Sequence, residues 1–573
     1  MKRFTLCLLL VLGTVSTGFT QHGEYVRKSI SSVESVWVQS GAKRGIRLDY
    51  PFFEKMMASY VEMPRFDYNE LPEPVLRDFR QRIGEVRDID RETLAELLQE
   101  TVGKAILDIL NDPEVMENRG LALRDESAWQ TFAATKARSV GLTAEELEVL
   151  MNSSYIYLPY IQNIRVDDSR SLAGANDASR IARSLIRSAS DDDDSNHHYV
   201  YIEGGIVWYA VNVSPQGEVS ISQLLSVAAD AYGSAERGKS HTFRFGNDRW
   251  ELDSRKYALY EATQAWVRQL ALETQQISEF QLRASIVEVL PPRKYSFGIG
   301  QAEGVYVDDI YELLEVRLTP DGDETFRSVG YTRITNVGDN TRDPFNYSTA
   351  AQLLGRRQGI GVVAREYPRI GYDLRLTAGF SEEIFIPATE IPLLFTDITQ
   401  SVNFDLSYAY NLAPITGTSQ SFLSMDIGFG IPVDFEAHED FSAFLANVYL
   451  GYNKKYTFGG RHNIGFRLGA GIEGFRSSDG SDNSLSLFSG GGRAGMDYEF
   501  LLGPALSFTM GAGYKFTSNP FWASLEVDGE TMDFIAEDSE IFLGGVFYSV
   551  GFNYSLRNAG LNLFGFLDGM RQY

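Results

Sequence analysis

Residues 370–380 read Ile-Gly-Tyr-Asp-Leu-Arg-Leu-Thr-Ala-Gly-Phe. Ile370, Tyr372, Leu374, Leu376, Ala378 and Phe380 fall on one face, with Gly371, Asp373, Arg375, Thr377 and Gly379 on the other. This is the period-two signature of a strand. In a soluble sandwich the apolar face would be core. Repeated over about eight segments of ~10 residues, the pattern also fits a transmembrane barrel, apolar outside and polar inside, and this is the reading adopted.

The segments are 369–380, 401–412, 421–431, 442–452, 463–475, 485–500, 504–516 and 541–556. Crossing a bilayer at a tilt takes about 9–11 residues per strand. Expected outward faces carry Val402, Phe404, Leu406, Tyr408 and Tyr410, then Leu423, Met425, Ile427 and Phe429. They continue with Phe466 and Leu468, with Phe508, Met510 and Tyr514, and with Val546, Tyr548, Val550, Phe552 and Tyr554. The inward face offers Asp373, Arg375, Asp405, Asp426, Arg467, Glu473, Arg493, Asp497 and Lys515. Mixed signs in an eight-stranded interior, just wide enough for side chains, predict a plug of ion pairs rather than a conducting path.

Loop lengths supply an independent test, because such barrels alternate long external loops with short periplasmic turns. The connections 381–400 and 517–540 are long, 413–420 is short and 501–503 very short, with 432–441, 453–462 and 476–484 intermediate. A periplasmic N-terminal half then puts both longest loops outside. The tail alternates Leu561, Leu563, Gly565 and Leu567 with Asn562, Phe564, Phe566 and Asp568. Counting it and 384–395 as strands would give ten.

Length and composition agree with an exported protein. Residues 1–20 open with Lys2 and Arg3, continue through an apolar run at 6–12 and reach small or polar residues before Gln21, the pattern of a secretory signal peptide. The single cysteine, Cys7, lies inside that run, so the mature chain is expected to hold no disulfide, thiolate metal site or cysteine nucleophile. No later run approaches the ~20 apolar residues of a spanning helix, which leaves a barrel as the way to cross. The formal net charge of −25 opposes nucleic-acid binding; it fits solubility, or cation bridging at an anionic membrane surface.

Upstream, Phe52, Phe53, Met56, Met57 and Tyr60 line one helical face, and residues 94–110 read as a helix N-capped by Asp90. A capping box of Thr143 and Glu146 starts another helix, 173–187 reads helical, and 155–166 and 199–213 read extended. Residues 219–232 are expected to be helical, 241–252 a strand, and 254–282 a long helix. Asp191, Asp192, Asp193 and Asp194 beside His197 and His198 offer cation ligands, set against a solvated loop of like charges. Gly233, Gly238, Lys239 and Ser240 match the phosphate-loop spacing, but the expected helix before and strand after reverse the order that chemistry needs, so the match is read as coincidence.

Short β-prone pieces follow at 285–290, 295–299, 310–316, 325–336 and 360–366. Gly300, Gln301, Ala302, Glu303, Gly304, Asp308, Asp309, 311–315, Val329, Gly330, Ile334 and Val337 resemble the SH3-like C-terminal module of flagellar assembly T proteins. Val307 stands where that family often has glycine. The resemblance covers about 80 residues, carries no catalytic motif, and implies assembly or docking in the periplasm.

The expected architecture is multidomain: a signal peptide (1–20), an α+β periplasmic region (21–283), an SH3-like β module (284–367) and a transmembrane antiparallel β-barrel with its tail (368–573). It resembles the small eight-stranded outer-membrane barrels of Gram-negative envelopes. The expected role is non-enzymatic scaffolding, docking or assembly, without cofactor or metal, with outer-membrane lipid and other envelope proteins as partners. A hydrolase using His438, flanked by Glu436, Glu439 and Asp440, is one alternative, and a small-solute channel the other.

Overall fold

The computed structural model describes residues 28–33, 36–38, 46–85, 90–112, 115, 136–137, 142, 147, 154–167, 197–213, 219–318, 324–386, 396–433, 442–478, 483–527, 530–534, 541–557 and 563–571. The expected signal peptide, the aspartate run 191–194, the helix expected at 173–187, most of that begun by Thr143, and His438 lie outside these residues.

The first body is a mixed sheet with helices on both faces. Its strands are β1 (Lys28–Ser32), β2 (Trp37–Val38), β3 (Phe66–Glu70), β4 (Tyr155–Asp167), β5 (His197–Val213) and β6 (Val219–Glu236), in the order β3-β1-β4-β5-β6 with β2 on β4. Side chains alternate across a strand, so Tyr155 and Tyr157 of β4 enter one core while Ile156 and Leu158 enter another. Helix α1 (Tyr50–Tyr60), capped by Asp49 accepting from Phe52 N at 3.2 Å, covers the first core with Phe53 and Met56. Helices α2 (Glu73–Glu85) and α3 (Arg91–Leu98) cover the second, with Phe79, Leu94 and Leu98. The Asp90 cap holds as expected, accepting from Thr93 N at 2.8 Å; a wider π turn (Gln99–Gly103) joins α3 to α4 (Lys104–Leu110).

The segment 219–232, expected to be helical, is strand β6. Its pattern of Ala, Ser and Leu is compatible with either state, and pairing with β5 along its whole length decides it. The hairpin β7 (Ser240–Phe245) and β8 (Asp248–Asp253) turns at Gly246, so the expected single strand is two. Helix α5 (Ser254–Gln276) then crosses the sheet, its Trp266 Nε1 donating to Ala229 O at 3.1 Å. It stops at Gln276, short of the expected 282, because Ile277 turns extended.

The second body is a closed barrel of β9 (Arg283–Leu290), β10 (Lys294–Phe297), β11 (Ile310–Leu318), β12 (Glu324–Asn336), β13 (Ser348–Gly355) and β14 (Val363–Tyr367), ordered β10-β13-β12-β11-β14-β9. Ile286, Tyr295, Phe297, Tyr311, Leu313 and Ile334 fill it. Strand β13 escaped the sequence reading.

The third body comprises β15 (Tyr372–Ile386), β16 (Thr396–Asn411), β17 (Ser421–Pro432), β18 (Ser442–Phe458), β19 (His462–Ser478), β20 (Ser484–Leu501), β21 (Leu506–Val527), β22 (Glu530–Phe534) and β23 (Val546–Ser555). All pairings are antiparallel; β23 joins β21 and β15 to close a ring of eight, and β22 extends β21 as a hairpin beyond it. The ten-strand alternative is corrected, since the tail folds as a 3₁₀ turn (Gly565–Met570) against the outer wall. Strands also run longer than expected, which reduces the connection 453–462 to Gly459, Gly460 and Arg461.

Apolar side chains stand out from the ring. Leu376, Phe380, Phe404, Leu450, Leu468, Met496, Phe516, Tyr548 and Phe552 are all more than half exposed. Tyr408 and Tyr410, expected among them, are buried beneath α5 and the tail.

Candidate functional site

The ring places the expected lumen residues on one inner surface and links most of them. Arg375 pairs with Asp497 at 2.9 Å and approaches Asp426 at 4.0 Å; Arg467 reaches Asp497 at 2.6 Å, and Arg493 pairs with Asp426. Lys515 lies 3.4 Å from Glu473, which also accepts from Tyr449 OH at 2.7 Å. Asp373 is bridged by Lys455, at 3.4 Å, to Glu499, 2.9 Å from the same ammonium. Asp405, opposite Gly428 on β17, makes no ion pair among the described residues. Lys455 and Glu499 were missed by sequence reading. Each continues the inward alternation, Asn453 to Lys455 and Asp497 to Glu499, and the first was lost because the expected strand stopped at 452.

Two further layers close the lumen. Toward the long-loop end, Leu445, Phe475, Leu485, Leu487, Ala523, Ile541 and Leu543 form an apolar cluster on the inner face. At the short-turn end, Ile310, Arg333 and Leu353 of the six-stranded barrel lie across the mouth, leaving a cavity of about 40 Å³ beside Asp373, Lys455 and Glu499.

Three polar joints fix the bodies together. In the first, Asp308 has a left-handed backbone (φ 74°), tolerated by a short polar side chain. This aims its carboxylate at the turn after β16, where it accepts from Gln420 N (2.6 Å), Ser419 Oγ (2.5 Å) and Asn411 Nδ2 (3.2 Å). Arg333 lies 3.7 Å away and donates to Thr457 on β18. In the second, buried Arg65 forks onto Glu366 of β14, with one bond of 2.8 Å, and Glu366 also accepts from Leu282 N at 3.1 Å.

In the third, Asp568 of the tail accepts from Tyr60 OH and Tyr410 OH, both at 2.9 Å, and faces Arg571 (3.1 Å) and Arg268 (3.6 Å). Burial alone would raise the Asp568 carboxyl, but Arg268 and Arg571 outweigh it and hold it below the usual range. A cavity of about 110 Å³ lies between the bodies, lined by Arg65, Tyr306, Asp309, Glu366 and Arg369 among others. Loss of hydration pushes Asp309 there up to about 7, with Glu366 adding to the rise.

His462 shares a hydrogen bond of 2.6 Å with Tyr498 OH within an aromatic group of Phe458 and Phe500, near the short-turn end. No cluster of three His, Cys, Asp or Glu side chains able to hold a metal exists among the described residues. The phosphate-loop spacing falls on β6, a turn and β7, so no helix N-terminus follows it.

No family profile and no curated protein matches the chain. Among solved structures it is similar to Neisserial surface protein A, at 10% identity over 33% of this chain and 100% of that one, with a TM-score of 0.22. A major outer membrane protein from Thermus thermophilus matches at 15% identity over 32% of this chain and 98% of its own, TM-score 0.22. Ail, the attachment invasion locus protein of Yersinia pestis, matches at 12% identity over 32% and 100%, TM-score 0.20. These likenesses cover about a third of the chain, and the barrel assignment stands on its own strand pairing.

Proposed function

We propose that this chain is a non-enzymatic outer-membrane protein whose barrel anchors a periplasmic region that scaffolds, docks or assembles other envelope proteins. The observation that carries the reading is the Asp308 joint, which bolts the six-stranded barrel onto a short turn of the large ring. Open sheet edges do not survive in hydrocarbon, and a closed ring with an apolar outside and polar inside is the strand solution to that constraint. Short turns face the periplasm in such barrels, and the contact of the small barrel with a short turn supports a periplasmic position for it and the mixed sheet.

Among the described residues the lumen is filled at three levels, which disfavours the channel reading. What remains is display: a platform held in one orientation beneath the membrane. The test is outer-membrane fractionation with heat-modifiable gel migration, followed by photo-crosslinking from exposed Phe345 and Ile360 of the small barrel. Capture of discrete envelope proteins is the expected outcome. A soluble periplasmic product would overturn the location, and an absence of any crosslinked partner would overturn the docking role.

A further inference from the structure

The outer wall of the ring is not uniformly bare. Along β15 the outward residues run Tyr372 (1% exposed), Leu374, then Leu376 (57%); along β16 they run Tyr410 (0%), Tyr408 (5%), then Phe404 (53%). The covered patch lies under Phe564, Leu563 and Leu567 of the tail and Leu272 of α5. Its flanks are open. Leu374 pairs with Tyr554, 42% exposed, and Leu423 pairs with Tyr452, 43% exposed, followed by Leu468 at 63%. Strand tilt raises one flank and lowers the other, so the covered patch sits at a height that the bare apolar belt also occupies.

Beside the residues that cover the patch, the tail leaves apolar side chains uncovered: Phe566 and Met570 are 41% and 39% exposed. Its polar groups turn the other way. Asp568 points into the Tyr60–Arg268–Tyr410 cluster, and Gln264 Nε2 donates to Gly565 O at 3.1 Å. From below, the β7–β8 hairpin clamps it, Gly246 N donating to Phe566 O at 3.1 Å. A Cβ on Gly246 would come within 2.7 Å of Gly569 O, so both glycines are needed for this approach. Irregular backbone is tolerated at membrane depth where such partners satisfy it.

We infer that residues 563–571 form an interfacial wedge: the tail displaces phospholipid from the β15–β16 wall and inserts Phe566 and Met570 into the periplasmic leaflet. This holds the mixed-sheet body against the membrane surface at one side of the barrel rather than hanging free below it. The inference rests on the outer-membrane reading above, and the occupant it commits to is phospholipid.

Cys7 is the only native cysteine, so single-site labelling is clean in a Cys7→Ser background. Phe566→Cys and Met570→Cys would carry an environment-sensitive fluorophore in the full chain reconstituted in phosphatidylcholine vesicles, with Leu376→Cys and Phe345→Cys as barrel and solvent controls. Retained heat-modifiable migration certifies folding of each variant. Headgroup-level nitroxide lipid should quench positions 566 and 570 at least about twofold more than aqueous iodide does, with 345 showing the reverse. Iodide-dominated quenching at 566 and 570, or quenching by neither agent, overturns the wedge while Leu376 still reports lipid. If Leu376 also loses lipid quenching, the membrane reading itself falls.

Discussion

At the residue scale, carboxylates fasten the bodies to one another. Asp308 serves both barrels, so Asp308→Ala removes three hydrogen bonds and deprives buried Arg333 of its nearest counter-charge. Such a loss costs about 3–5 kcal/mol, and it should release the small barrel as a separately melting, protease-sensitive unit while the ring keeps its heat-modifiable migration. Asp309 acts through protons instead. Its folded carboxyl is raised from 3.8 to about 7, so the folded state holds a proton that the unfolded chain gives up. The associated stability is complete below pH 3.8 and is lost as pH rises through about 7. Asp309→Asn, permanently neutral, should flatten that dependence and raise stability at pH 8 by about 2–4 kcal/mol, read from thermal melts at pH 5 and 8. A variant that keeps the wild-type pH slope would remove Asp309 from this role.

At the element scale, β6 is the instructive case. Its alternation is diluted by Ala and Ser, and the phosphate-loop spacing draws attention to Gly233 for a ligand. The glycine is there for packing: a Cβ would strike the carbonyl of Ala258 and lie 2.7 Å from Ala262 N, on the crossing helix α5. Gly233→Val is therefore expected to push α5 off the sheet and destabilise that body by about 2–4 kcal/mol, read from chemical denaturation of the full chain. Barrel strands were easier to read because each repeats a polar-in, apolar-out alternation over at least ten residues. Their ends were not: the strand expected to stop at 452 runs on to Phe458 and carries Lys455 into the mouth.

At the scale of the whole molecule, the ring is filled, capped and joined, and planar bilayers containing the purified protein should stay at baseline conductance. Steady single-channel steps would refute the plugged lumen, with Asp497→Ala as the variant in which a leak is most readily expected, because Arg375 and Arg467 both lose a partner there. Eight ring segments and their inner and outer faces were legible in the sequence alone, because period-two alternation is a local property written residue by residue, while the choice between eight and ten strands stayed open. Nine lumen residues were legible for the same reason, and eight of them form ion pairs. Only the tertiary structure decided that Tyr408 and Tyr410 are covered rather than lipid-facing, that the tail is a turn and not a strand, and that Asp308, Glu366 and Asp568 are joints. Each of these depends on contacts between segments as many as 508 positions apart, and no local pattern encodes which distant surface will come to lie against a given face.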